Sequence, residues 1–174
     1  MYRPDHIKWL LIAESPPPAA DVASSRQFYR ATPERTADRL FVNTVKALYE
    51  DALELSEAQI EPNKEQWLRR LQADGVYMIE ALTTSQEHEV PTADRRAKIA
   101  ALMPDLIDRV GKLVEADTKL ILIKSNVFIT AAEPLRQAGF TVLNTGLVDY
   151  PGQFIQNRFR DKLASLMHES GWRN

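Results

Sequence analysis

The sequence predicts an α/β domain in which a parallel sheet is covered by helices on both faces. Three observations lead there: four short runs of branched aliphatic residues, helical-period segments between them, and glycine or proline at the boundaries. A chain of 174 residues, 44% hydrophobic and 26% charged, suits one domain spanning residues 1–174.

The first run, Ile7 to Ala13, is short and apolar and stops at Pro16-Pro17-Pro18, so it reads as a buried strand. A polar loop carrying Phe28-Tyr29 follows. Thr32 as N-cap and Pro33 at the first helical position then predict a helix to about Leu55, through Leu40, Val42, Val45 and Leu48. A shorter helix is expected from Asn63 through Trp67, Leu68 and Leu71 to Gly75, where glycine suits a left-handed C-cap. Val76 to Leu82 reads as the second strand. After a loop ending near Pro91, Ile99, Leu102, Leu106, Val110 and Val114 predict a helix over residues 94–115, which Met103-Pro104 would kink or split. Lys119 to Lys124 is the third strand and Ser125-Asn126 its exit turn. A helix to Gly139 and a fourth strand from Phe140 to Asn144 follow. The loop Thr145 to Gly152 leads into a last helix carrying Phe154, Ile155, Phe159, Leu163 and Met167.

Composition excludes several chemistries. Without cysteine there is no disulfide, thiol nucleophile or cysteine-held cluster. His6, His88 and His168 are too far apart in sequence for a ligand motif, so no metal is expected. With 6 glycines and no phosphate-binding glycine loop, no nucleotide cofactor is expected either. The first twenty residues have neither the basic start nor the apolar stretch of a signal peptide or membrane span, and a cytoplasmic location is the default expectation. A formal net charge of -2 argues against nucleic-acid binding by bulk electrostatics and leaves room for a local basic face.

In open parallel sheets ligands bind beyond the carboxyl ends of the strands, which directs attention to Ala13-Glu14-Ser15-Pro16-Pro17. That loop, the pair Phe28-Tyr29, the strand Gly75 to Glu80, the run Lys119 to Ile123, and Val142-Leu143-Asn144 with Tyr150-Pro151-Gly152-Gln153-Phe154 resemble, in order, the uracil-DNA glycosylase superfamily. The resemblance implies a three-layer α/β/α sandwich whose four parallel strands run in the order 2-1-3-4. It also implies extrusion of a base from DNA and hydrolysis of its glycosidic bond, with no cofactor. Glu14 would take the catalytic position, while Ser15, Phe28, Tyr29 and Glu80 would hold the base. Tyr150, Pro151 and Gln153 would contact the nucleic acid, as would Lys124 and Ser125 at the end of the third strand.

The chain also departs from that pattern. Asp149-Tyr150-Pro151 lacks the histidine of the family's second loop, a donor to the leaving base worth roughly 2–4 kcal/mol by analogy with oxyanion stabilisers. Glu80 stands where uracil-excising members place asparagine. A carboxylate accepts but cannot donate, so it suits guanine N1–H and N2–H or an exocyclic amine better than uracil. Two functions are therefore expected: excision of a non-uracil base, or a non-catalytic module binding a nucleobase, nucleotide or nucleic acid. Plainer readings stand beside both. Glu14 and Glu80 could form structural ion pairs, Phe28 and Tyr29 could be packing aromatics, and Arg95, Arg158, Arg160 and Lys162 could be solvated helix charges.

Overall fold

A computed structural model describes residues 2–14, 28–30, 38–83, 91–152 and 154–173. Strands β1 (Trp9–Ala13), β2 (Val76–Glu80), β3 (Lys119–Leu122) and β4 (Thr141–Val142) form one parallel sheet in the order β2-β1-β3-β4. The helices are α1 (Arg39–Leu48), α2 (Glu57–Ile60), α3 (Lys64–Asp74), α4 (Thr92–Ala101), α5 (Met103–Gly111), α6 (Ser125–Gln137) and α7 (Gln156–Glu169).

The pleat divides the strand residues between two cores. Trp9, Leu11, Ala13, Val76, Met78 and Ile121 pack under α1, α3 and α7 against Phe41, Val45, Leu68, Phe159 and Leu163. Leu10, Ile12, Leu120 and Leu122 face α4, α5 and α6 through Ile99, Leu106, Val110, Val127 and Leu135. Every β1 residue is buried, as expected for the strand between two neighbours under two helical layers. Each fully buried Leu or Ile contributes about 1.5–3 kcal/mol of transfer free energy.

Several predicted boundaries are corrected. A single helix from Thr32 to Leu55 does not form: Asp38 is extended, and α1 starts at Arg39 with the Asp38 carboxylate accepting the Phe41 N–H at 3.1 Å. The Thr32-Pro33 cap lies outside the described residues. At its other end α1 stops at Leu48, whose carbonyl accepts the Trp172 indole N–H at 3.1 Å, while the extended Tyr49 donates its hydroxyl to Asp74 at 2.8 Å. Tertiary partners thus replace continued helix. The 94–115 segment splits at Leu102 into α4 and α5, with Pro104 at the amino end of α5, where its missing N–H costs nothing. Gly75 does cap α3 in the left-handed region at φ 85°, and its carbonyl accepts from both Lys8 and Trp9 at the entrance to β1.

Only two residues of the expected fourth strand pair as a strand. Beyond them the Asn144 side-chain amide imitates a peptide group: its Oδ1 accepts the Leu122 N–H at 3.0 Å and its Nδ2 donates to Leu122 O at 3.1 Å. Helix α6 starts at Ser125, so Ser125-Asn126 is its first turn rather than a separate exit turn. Phe154 and Ile155, expected inside the last helix, precede α7 and are exposed. No described helix is long and apolar enough to cross a membrane.

Candidate functional site at the carboxyl edge of the sheet

Residue Glu14 follows β1 directly and is 3% exposed. Its carbonyl accepts the Leu82 N–H at 2.8 Å, which extends the β1–β2 ladder and fixes the backbone. Because side chains alternate across a pleat, Glu14 turns away from the face of Ala13 and toward α4 and α6. There Oε1 accepts from Lys124 Nζ at 2.6 Å and Arg95 at 3.2 Å, and Oε2 accepts from Asn126 Nδ2 at 2.7 Å. A buried carboxylate requires such partners, since the Coulombic and hydrogen-bond terms must offset its lost hydration.

Two cations against one carboxylate give these three groups a formal excess of one positive charge. Arg95 donates a further bond to Thr92 Oγ1 at 3.3 Å, and its buried Nε has no partner among the described residues. Lys124 has the one non-glycine residue with positive φ among those described, at φ 80° and ψ 143°. That region is nearly reserved for glycine and costs of order 1–3 kcal/mol. It is held by the Lys124 N–H to Val148 O at 2.7 Å, by its carbonyl accepting the Phe128 N–H in the first turn of α6, and by the ammonium on Glu14.

Glu80 ends the neighbouring strand, and its Cα pairs with Ala13. By the same alternation its side chain takes the Val76–Met78 face, so Glu14 and Glu80 point into opposite layers. Burial pushes the Glu80 carboxyl above its ordinary value; its own backbone N–H and Arg109 pull the other way, and Asp38 adds to the rise. Arg109 donates to the carbonyls of Glu80 and Ala81 at 2.9 and 2.8 Å, closing the end of this edge strand. No ion pair engages the Glu80 carboxylate among the described residues.

The aromatic pair is built into the fold. Phe28 is 6% exposed, with edge contacts to Phe41 and Tyr29 at 5.5 and 5.1 Å. Tyr29 stacks on Tyr77 at 5.3 Å, and its hydroxyl accepts the Met78 N–H at 2.6 Å, blocking the open edge of β2. The geometry favours the packing reading for both. Tyr150 is 42% exposed, Pro151 is buried, and Ser125 opens α6 beside Lys124. Ser15 and Gln153 lie outside the described residues.

Sequence reasoning missed Arg95 and Asn126. Arg95, read as part of an exposed helix start, has a side chain only 18% exposed on Glu14. Nothing local signals that α4 turns this residue inward, and an Arg-Arg pair at a helix start looks the same in either case. The histidine spacing also hid a cluster at the other end of the sheet. There the His6 ring bonds Glu115 at 3.0 Å and Asp117 at 3.2 Å, and one ligand atom from each lies within 4.8 Å of the others. This trio could hold a cation only if a carboxylate left the ring nitrogen it now engages.

No family model, curated protein or solved structure matches the chain. Its functional reading therefore rests on the carboxyl edge itself.

The segment before α7, bonded to the Lys124 N–H through the Val148 carbonyl, leaves apolar groups in solvent. Phe154 is 93% exposed, and Leu147, Tyr150 and Ile155 are each more than a third exposed. Arg158, Arg160 and Lys162 follow on α7; Arg158 and Lys162 both reach Asp149, at 3.2 and 3.4 Å.

Proposed function

We propose that this chain is a divergent protein of the uracil-DNA glycosylase type that binds a nucleobase, nucleotide or nucleic-acid strand at the carboxyl edge of its sheet. The observation that carries this reading is the cation excess on Glu14: Lys124 and Arg95 share one carboxylate at the first strand exit, where parallel sheets take ligands. Such a cluster attracts a phosphate at little reorganisation cost. Exposed Phe154 and Tyr150 beside the basic start of α7 add the stacking surface and local charge that single-stranded nucleic acids use.

Binding fits the geometry better than uracil excision does. Three donors already occupy Glu14, and no histidine is available in the Asp149-Tyr150-Pro151 loop. Excision of another base is the second reading, favoured by one feature: among the described residues Oε2 accepts a single bond, from Asn126, leaving room for a water proton.

The test is fluorescence anisotropy with a short single-stranded oligonucleotide across a salt series. Binding that weakens with salt is expected, and Phe154→Ala should cost about 1–3 kcal/mol, the range for one lost base stack. No binding at low salt would overturn the proposal. Base release from a panel of lesion-bearing oligonucleotides, lost in Glu14→Gln, would favour the second reading.

A further inference from the structure

We infer that Lys124 is a carbonyl-reactive amine, poised to form an imine with the ring-opened aldehyde of an abasic deoxyribose. The inference rests on the nucleic-acid reading above and adds a covalent step to it. A nucleophilic lysine needs a reachable amine, a nearby second cation and a group to carry its proton. Lys124 has all three: its side chain is 28% exposed while Glu14 is 3% exposed, Arg95 shares Glu14 Oε1, and that oxygen lies 2.6 Å from Nζ.

The backbone at φ 80° is a second sign, because a strained non-glycine residue at a strand exit persists only where its surroundings impose it. Val148, at the other end of the Lys124 N–H bond, ties this residue to the segment that carries Tyr150 and Phe154.

In the proposed step Nζ passes one proton to Glu14, and its lone pair forms a bond to the aldehyde carbon. The resulting carbinolamine nitrogen then loses its second proton to solvent as the alkoxide is protonated. The hydroxyl leaves as water, taking the proton held by Glu14, and the nitrogen lone pair completes the C=N bond of a protonated iminium. Amine, aldehyde and one proton give iminium and water, with no oxidant or reductant consumed.

The test uses the full chain and two oligonucleotides, one with a natural abasic site and one with a tetrahydrofuran analogue that cannot open. Sodium borohydride would reduce an iminium to a stable amine. The expected result is a covalent adduct with the natural site only, mapped by peptide mass spectrometry to Lys124 and absent from Lys124→Arg. A melting curve checks that this variant is folded. If the tetrahydrofuran oligonucleotide binds but no adduct forms, or the adduct sits on another amine and persists in Lys124→Arg, the inference is wrong while the binding reading stands. If neither oligonucleotide binds, both fall.

Discussion

Glu14 and Glu80 close neighbouring strands yet face opposite layers of the sandwich. Ala13 and Glu80 are register partners on one face, and Glu14, one residue further, turns to the other, onto Lys124, Arg95 and Asn126. Among the described residues the two carboxylates share no partner, so their energetic effects should be separable. The double variant Glu14→Gln/Glu80→Gln should equal the sum of the single changes within about 0.5 kcal/mol by urea denaturation. A larger coupling would mean that they meet in one site after all.

Taken alone, Glu14→Gln removes the charge that holds two cations and turns an amide hydrogen toward a donor. The expected loss is about 2–4 kcal/mol, below the full cost for a buried pair because both cations reach solvent. Glu14→Asp should recover little, since the shorter arm cannot reach Lys124 and Asn126 together. Chemical denaturation of the three proteins tests this, and equal stability for all of them would contradict the network's structural role.

Glu80 and His6 give pH dependences with a common sign at different pH. Burial raises the folded Glu80 pKa, so the native state holds a proton that the unfolded chain releases near 4.5, and stability falls as pH rises from there through the folded value. Glu80→Gln should remove this slope and stabilise the protein at neutral pH. His6 is raised by hydrogen bonds to Glu115 and Asp117, so its contribution is fully present below 6.5 and disappears as pH rises through the folded value. His6→Gln should flatten that second window and leave the Glu80 slope intact. Melting temperatures between pH 4 and pH 8 in each variant separate the two.

Asn144 extends the sheet through its side chain, and truncation leaves both backbone groups of Leu122 without that partner. Asn144→Ala should cost about 2–6 kcal/mol, the sum expected for two buried unsatisfied groups. Hydrogen exchange at the Leu122 amide should accelerate with it. Unchanged protection there would show that the backbone finds another partner.

Two glycines with similar backbone angles should respond unequally to alanine. At Gly75, φ 85°, a new Cβ would meet Lys8 Cγ at 3.0 Å and His6 O at 3.1 Å; at Gly139, φ 91°, it would meet nothing within 4 Å. Gly139→Ala should cost about 1–2 kcal/mol for the left-handed backbone alone. Gly75→Ala should cost more, because the His6 carbonyl cannot move aside without disturbing the entrance to β1. Equal losses in thermal denaturation would rule out the contact contribution.

The sequence by itself determined the number of strands, the covered sheet and the glycine cap at residue 75. Those depend on local signals: branched aliphatic runs of strand length, helical periodicity and the freedom of glycine at positive φ. It also pointed to the exit of the first strand and to Lys124 at the exit of the third. Tertiary structure alone decided what Glu14 touches, because the pleat settles which way a side chain points and α4 and α6 supply partners 81 and 112 residues away. For the same reason it separated Glu80 from Glu14, stopped α1 at Leu48 through Trp172, and drew Phe28 and Tyr29 into packing. A charge pattern records which residues can pair; only the register of the strands and the approach of the helices choose among them.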